Sequence, residues 1–191
     1  MTAYRKTLLL TAGVIAAAQI VAAAVKVRVD VDKRFDFTQA RTWAWAPAPA
    51  GHVIVARTPT DDPDAIQRLA EPVVLDAVAA EIPGRGLKQS AENPDLTLKY
   101  YLLLTVGSSA QTVGQFLPPV AQWGVPYFQP STQSLKVIQQ GSLALDFSAK
   151  GEIVWRGVAA AEIKPGLPQE RKEALIREAV REILKRYPRL K

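Results

Sequence analysis

Residues 140–161, QGSLALDFSAKGEIVWRGVAAA, carry a two-residue rhythm. Leu143, Leu145 and Phe147 fall on one side, with Ser142, Ala144 and Asp146 on the other. After Ser148-Ala149-Lys150-Gly151 the alternation resumes, Ile153 and Trp155 against Val154 and Arg156. Two alternating runs joined by a short polar, glycine-containing segment predict an antiparallel hairpin. A hairpin by itself is marginal in water, so its apolar side requires a second layer. Asp146 and Arg156 both lie off the apolar side and form a candidate cross-strand ion pair, worth under ~1 kcal/mol if exposed.

The flanking segments supply that layer. Downstream, residues 169–187 place Leu175, Ile176, Ala179, Val180, Ile183, Leu184 and Tyr187 on one helical stripe. Glu173–Arg177 and Glu182–Arg186 stand in favourable (i, i+4) order, and the basic end suits the negative pole of the helix. Upstream, residues 95–106 read as a strand with Leu96, Leu98, Tyr100, Leu102 and Leu104 on one side. Its other side holds Tyr101 and Leu103 as well as Thr97 and Lys99, which predicts a central strand covered on both faces. Before it, Ile66, Leu69, Val73, Ala77, Val78 and Ile82 form a second helical stripe after the capping residues Asp61, Asp62 and Asp64. Pro72 interrupts this stripe and predicts either a bend or a fresh helix start.

The first part of the chain is simpler. Val25, Val27, Val29 and Val31 alternate with Lys26, Arg28, Asp30 and Asp32, a half-buried strand with a solvated polar side. A short strand at Thr42–Trp45 is ended by the proline-rich APAPAG. Asp30, Asp32 and Asp36 lack the glycine and terminal glutamate of a calcium loop. Residues 107–134 break every period and contain no charged residue, yet carry Phe116, Trp123, Tyr127 and Phe128. Long irregular segments of this kind are uncommon in compact domains, and exposed aromatics supply contact area at low entropic cost. These four residues, with Arg156 as an anion contact, are the candidate binding residues; the competing reading makes the segment a flap over the sheet.

Ahead of the domain, Arg5 and Lys6 precede the apolar run LLLTAGVIAAAQIVAAA, which ends Ala22-Ala23-Ala24. A positive start, a short apolar core and an Ala-x-Ala ending predict a signal peptide over residues 1–24, with a single domain over 25–191. The alternative is an uncleaved anchor, although the run is alanine-rich and broken by Gln19. The 191 residues are 48% hydrophobic and carry a net charge of +6. With no cysteine there is no disulfide framework, thiolate nucleophile or lipid attachment site.

In order along the chain, Val27-Arg28-Val29-Asp30, Asp36-Phe37-Thr38 and Arg41-Thr42-Trp43-Ala44-Trp45 are followed by Pro94-Asp95-Leu96 at a strand opening. Then come Gly141-Ser142-Leu143-Ala144-Leu145-Asp146, Val154-Trp155-Arg156-Gly157 and a last helix ending near Tyr187-Pro188. This series resembles the bacterial family called domain of unknown function 4136, over nearly all of residues 25–191. The resemblance implies an exported protein, often a lipoprotein, with no assigned activity and no catalytic residue to carry over. The missing cysteine departs from the lipoprotein pattern.

His52 is the sole histidine and falls in a Pro/Ala/Gly-rich segment read as a loop. A hydrolase would have to use it or a pair of carboxylates, but there is no Gly-x-Ser-x-Gly elbow, His pair or phosphate-binding glycine loop. The expectation is a two-layer α+β domain, an antiparallel or mixed β-sheet with two helices packed on one face. Its expected role is an exported periplasmic or cell-envelope binding or interaction module, without enzymatic activity, metal or cofactor. Partners would be an envelope protein or an anionic envelope component rather than nucleic acid. Membrane contact would come only from an uncleaved N-terminus or the basic tip at Lys185, Arg186, Arg189 and Lys191.

Overall fold

The computed structural model describes residues 25–56, 62–105, 141–161, 163 and 166–188. They form a seven-stranded mixed sheet with two helices. The strands are β1 (Lys26–Val31), β2 (Thr42–Trp45), β3 (Gly51–Ala56), β4 (Lys88–Gln89), β5 (Leu96–Thr105), β6 (Gly141–Ala149) and β7 (Glu152–Ala161). The helices are α1 (Pro63–Glu81) and α2 (Gln169–Leu184). Strand order is β1-β7-β6-β5-β2-β4, and β3 also pairs with β5.

The β6–β7 hairpin turns at Lys150 and Gly151, both at positive φ, which matches the right-handed twist of the flanking strands. A register shift between Phe147 and Ser148 interrupts the ladder. Val154, which strict alternation sets opposite Trp155, is consequently buried in the same core cluster. β1 runs antiparallel to β7, from Lys26 against Ala160 to Val31 against Trp155. β5 is central, antiparallel to β6 on one side. On its other side it is parallel to β2 near Leu96–Leu98 and to β3 from Tyr100 onward. The position beside β5 is thus divided between β2 and β3, because Pro47 and Pro49 between them offer no N–H to a ladder. His52 lies on β3 rather than in a loop, a strand the proline-rich surroundings concealed.

Both helices cover one sheet face. Their buried residues join Leu98, Tyr100, Phe147, Trp155 and Leu145 in one core cluster. Asp62 caps α1 by accepting a hydrogen bond from the Asp64 amide, and Pro63 occupies the first turn, where its missing N–H costs nothing. α1 runs through Pro72 as one helix, with the proline on its exposed side. Its buried stripe is Ala70, Val73, Val74, Ala77 and Val78; Leu69, expected in that stripe, is 58% exposed. The Tyr100 hydroxyl donates to Glu71 at 3.0 Å, pinning α1 to the sheet, and Gln67, one turn earlier on α1, donates to the same carboxylate at 2.9 Å. On α2, Ala179, Val180, Ile183 and Leu184 are buried as the stripe predicts. Its surface ion pairs are Glu178–Arg181 and Glu182–Lys185, one residue closer in sequence than the (i, i+4) pairs expected.

Two local devices hold the edge. Asp95, just before β5, accepts hydrogen bonds at 2.8 Å from the amides of Arg41 and Thr42 and from the Thr42 hydroxyl. The same hydroxyl accepts from the Asp95 amide at 3.0 Å, so β2 and β5 are stapled across 53 residues of chain. Asp32, expected on a solvated side, is instead 8% exposed. Its carboxylate takes the Arg34 amide and guanidinium at 2.9–3.0 Å, which lets it be buried without an unpaired charge.

Candidate functional site

The face turned away from the helices carries an ordered row of charge. Lys99 on β5 stands opposite Asp146 on β6, Asp146 opposite Arg156 on β7, and Arg156 opposite Asp30 on β1. Signs alternate across four neighbouring strands because each residue occupies the same phase of its strand's alternation. At the centre, Arg156 Nε and Nη2 each bond an Asp146 oxygen at 2.6 Å. Both side chains are 3% exposed. Burial pushes the Asp146 carboxyl above its ordinary value, and the guanidinium bonds oppose that rise. Around the pair, Tyr101, Leu103 and Ala144 form a small buried apolar cluster, flanked by Ile54 and Val158.

Arg156, a candidate anion contact from the sequence, is therefore buried and engaged bidentately; an incoming anion would have to displace the Asp146 carboxylate. Phe116, Trp123, Tyr127 and Phe128 lie outside the described residues, as does the proposed signal peptide over residues 1–24. His52 is exposed, with its ring 6.0 Å from that of Tyr101. Partial burial and then the positive charge of Lys99 lower its pKa, which keeps the imidazole neutral at neutral pH. Among the described residues no hydroxyl or carboxylate is hydrogen-bonded to it, and no group of three or more metal-ligating side chains converges.

On the helix side, a cavity of about 230 Å3 opens between the N-terminal parts of α1 and α2 and one end of the sheet. Its walls are Ile66 from α1, Leu102 and Leu104 from β5, Leu143 from β6, Ala159 from β7 and Ile176 from α2. Leu69 also lines it, and is the exposed large apolar side chain among the described residues. The side chains of Gln169 and Lys172, in the first turn of α2, add polarity. Sequence periodicity contained one clue to this site: the α1 stripe reaches Leu69 and Ile66, one turn beyond the part of the helix that packs tightly. Which strand ends face those turns is not a local property, so the cavity itself was not foreseeable.

An open mixed sheet with two helices on one face defines an α+β domain. The chain belongs to the DUF4136 family, a domain of unknown function, whose family model matches residues 27–189. No curated protein matches it. Among solved structures, a DUF4136 protein from Bacteroides thetaiotaomicron is similar at 18% identity and a TM-score of 0.49, covering 87% of this chain and 97% of that one. A PDZ domain protein from Parabacteroides distasonis aligns at 16% identity and a TM-score of 0.48, over 88% of this chain but 36% of its own. The PelC dodecamer from Paraburkholderia phytofirmans aligns at 11% identity and a TM-score of 0.42, covering 88% of this chain and all 100% of that chain.

Proposed function

We propose that this protein is an exported, non-catalytic binding module of the cell envelope, and that the cleft between α1, α2 and the sheet is where it takes its ligand. The observation that carries the reading is the aliphatic cavity of about 230 Å3, bordered by exposed Leu69 and by the polar first turn of α2. Ligand sites combine mostly apolar walls with a few polar groups that fix orientation, and this cleft has that composition. The charge row on the opposite face is internally matched and presents no reactive group. His52 has no partner to make it a general base among the described residues. Export rests on the positively charged, alanine-rich leader; among the described residues no helix is long and apolar enough to cross a membrane.

Titration with the neutral fluorophore N-phenylnaphthylamine tests the cleft. Ala161, at the end of β7, also lines the cleft; saturable binding that Ala161→Phe removes, with the thermal unfolding midpoint retained, is the expected result, and unchanged emission sinks the reading. For export, mass spectrometry of the chain recovered from cells is expected to find an N-terminus near Val25, and a chain starting at Met1 would overturn it.

A further inference from the structure

We infer that the cleft is built for a single-chain fatty carboxylate, its alkyl chain among the aliphatic walls and its head at Lys172; this rests on the reading of the cleft as a ligand site. The volume sets the size of the ligand. About 230 Å3 exceeds the ~150 Å3 cavity that admits benzene and falls short of the ~300 Å3 at which drug-sized pockets begin. One alkyl chain fits such a space, and a two-tailed lipid does not.

The walls set its chemistry. Leu102, Leu104, Leu143 and Ala159 contribute only hydrocarbon, so a polar group carried to the bottom would lose water without gaining a partner. Polar lining residues are Ser142 on β6 and, at the start of α2, Gln169 and Lys172; of these only Lys172 carries charge, and it is exposed. Further along the same helix, Arg181 and Lys185 are each neutralised by a glutamate, Glu178 and Glu182. No ion pair engages Lys172 among the described residues. A lone ammonium beside a hydrocarbon slot is complementary to a monoanion on an alkyl tail, and Leu69 on the facing helix extends the apolar track outward.

The test is calorimetric titration of the purified protein with octanoate, decanoate and dodecanoate below their micelle concentrations, and with decyltrimethylammonium as the cation of matched tail. Affinity is expected to rise about fourfold per added methylene until the slot is full. Decanoate is expected to bind more tightly than the cation, and Lys172→Glu to weaken decanoate about fivefold or more while strengthening the cation. Lys172 is exposed, so this variant leaves the core intact. Equal binding of decanoate and the cation, unaffected by Lys172→Glu, overturns the carboxylate assignment while the cleft still counts as an apolar site. No binding of either ligand or of the neutral fluorophore overturns both readings together.

Discussion

The two faces of the sheet are buried by different means. Under the helices, Trp155, Phe147 and Tyr187 pack as a trio of rings, with centroids 5.6 Å apart for Phe147–Trp155 and 5.3 Å for Trp155–Tyr187. That face gains stability from area removed from water and from dense packing, which tolerates neither a void nor an added atom. On the reverse face, one residue along the same strands, the centre is a paired charge. Desolvating two ions is expensive, and their mutual attraction returns most of the cost only while both are present. One face is held by adding contacts, the other by leaving no partner out.

The largest expected effects test whether that contrast is real. Trp155→Ala should cost about 3–5 kcal/mol, as large-to-small core changes do. Arg156→Ala should cost a similar ~3–5 kcal/mol, because it strands the Asp146 carboxylate in the interior. The two differ on rescue: the double change Asp146→Leu, Arg156→Met should recover most of the charge-face loss. Urea unfolding of the three variants measures all of these, and a loss under ~1 kcal/mol for Arg156→Ala would mean that this face is wet.

A smaller change sharpens the packing half of the comparison. Gly157 sits two residues from Trp155, and a Cβ there would run into Ile183 Cγ2 and the Trp155 ring. Gly157→Ala should therefore cost about 1–3 kcal/mol through overpacking, and the cost should be smaller when measured in an Ile183→Ala background, which lacks the clashing Cγ2. Full stability in the single variant would show that α2 shifts freely over β7.

The smallest effect separates buried charge from surface charge by its pH dependence. The Arg41 amide, then the Thr42 hydroxyl and amide, hold the Asp95 carboxyl below its usual range. A depressed folded-state pKa makes this contribution fully present above the unfolded value of about 3.9, and it is lost as pH falls through the folded value. Asp95→Asn should thus lower stability by about 1 kcal/mol at pH 7, discounted for exposure, and flatten the acid limb below about pH 4. Asp146 behaves oppositely. Burial raises its pKa, so any stability linked to its protonation is present at low pH and declines as pH rises through the folded value. An acid limb unchanged by Asp95→Asn would remove Asp95 from this account.

Much of this fold was legible locally. The hairpin, the last helix and the central position of β5 follow from periods of two and 3.6 residues, and the Asp146–Arg156 pairing follows from their shared phase in adjacent strands. β3 was not legible, because prolines disguised a strand that gains its pairing only from β5. Nor was the full row from Lys99 to Asp30, because β5 and β1 lie far in sequence from the β6–β7 hairpin they flank. Leu69 shows the limit from the other direction: its helical phase is apolar, but the turn it sits on borders a cleft.

What the residues determined unaided is the alternation of the hairpin strands, β1 and β5 and most of the apolar side of each helix, all properties of neighbours in the chain. Tertiary structure alone decided which side chains with the right phase are buried, and that a charged pair is sealed while an aliphatic slot stays open. Burial and cavities arise from elements meeting across long sequence distances, and that meeting leaves no periodic mark on any one segment.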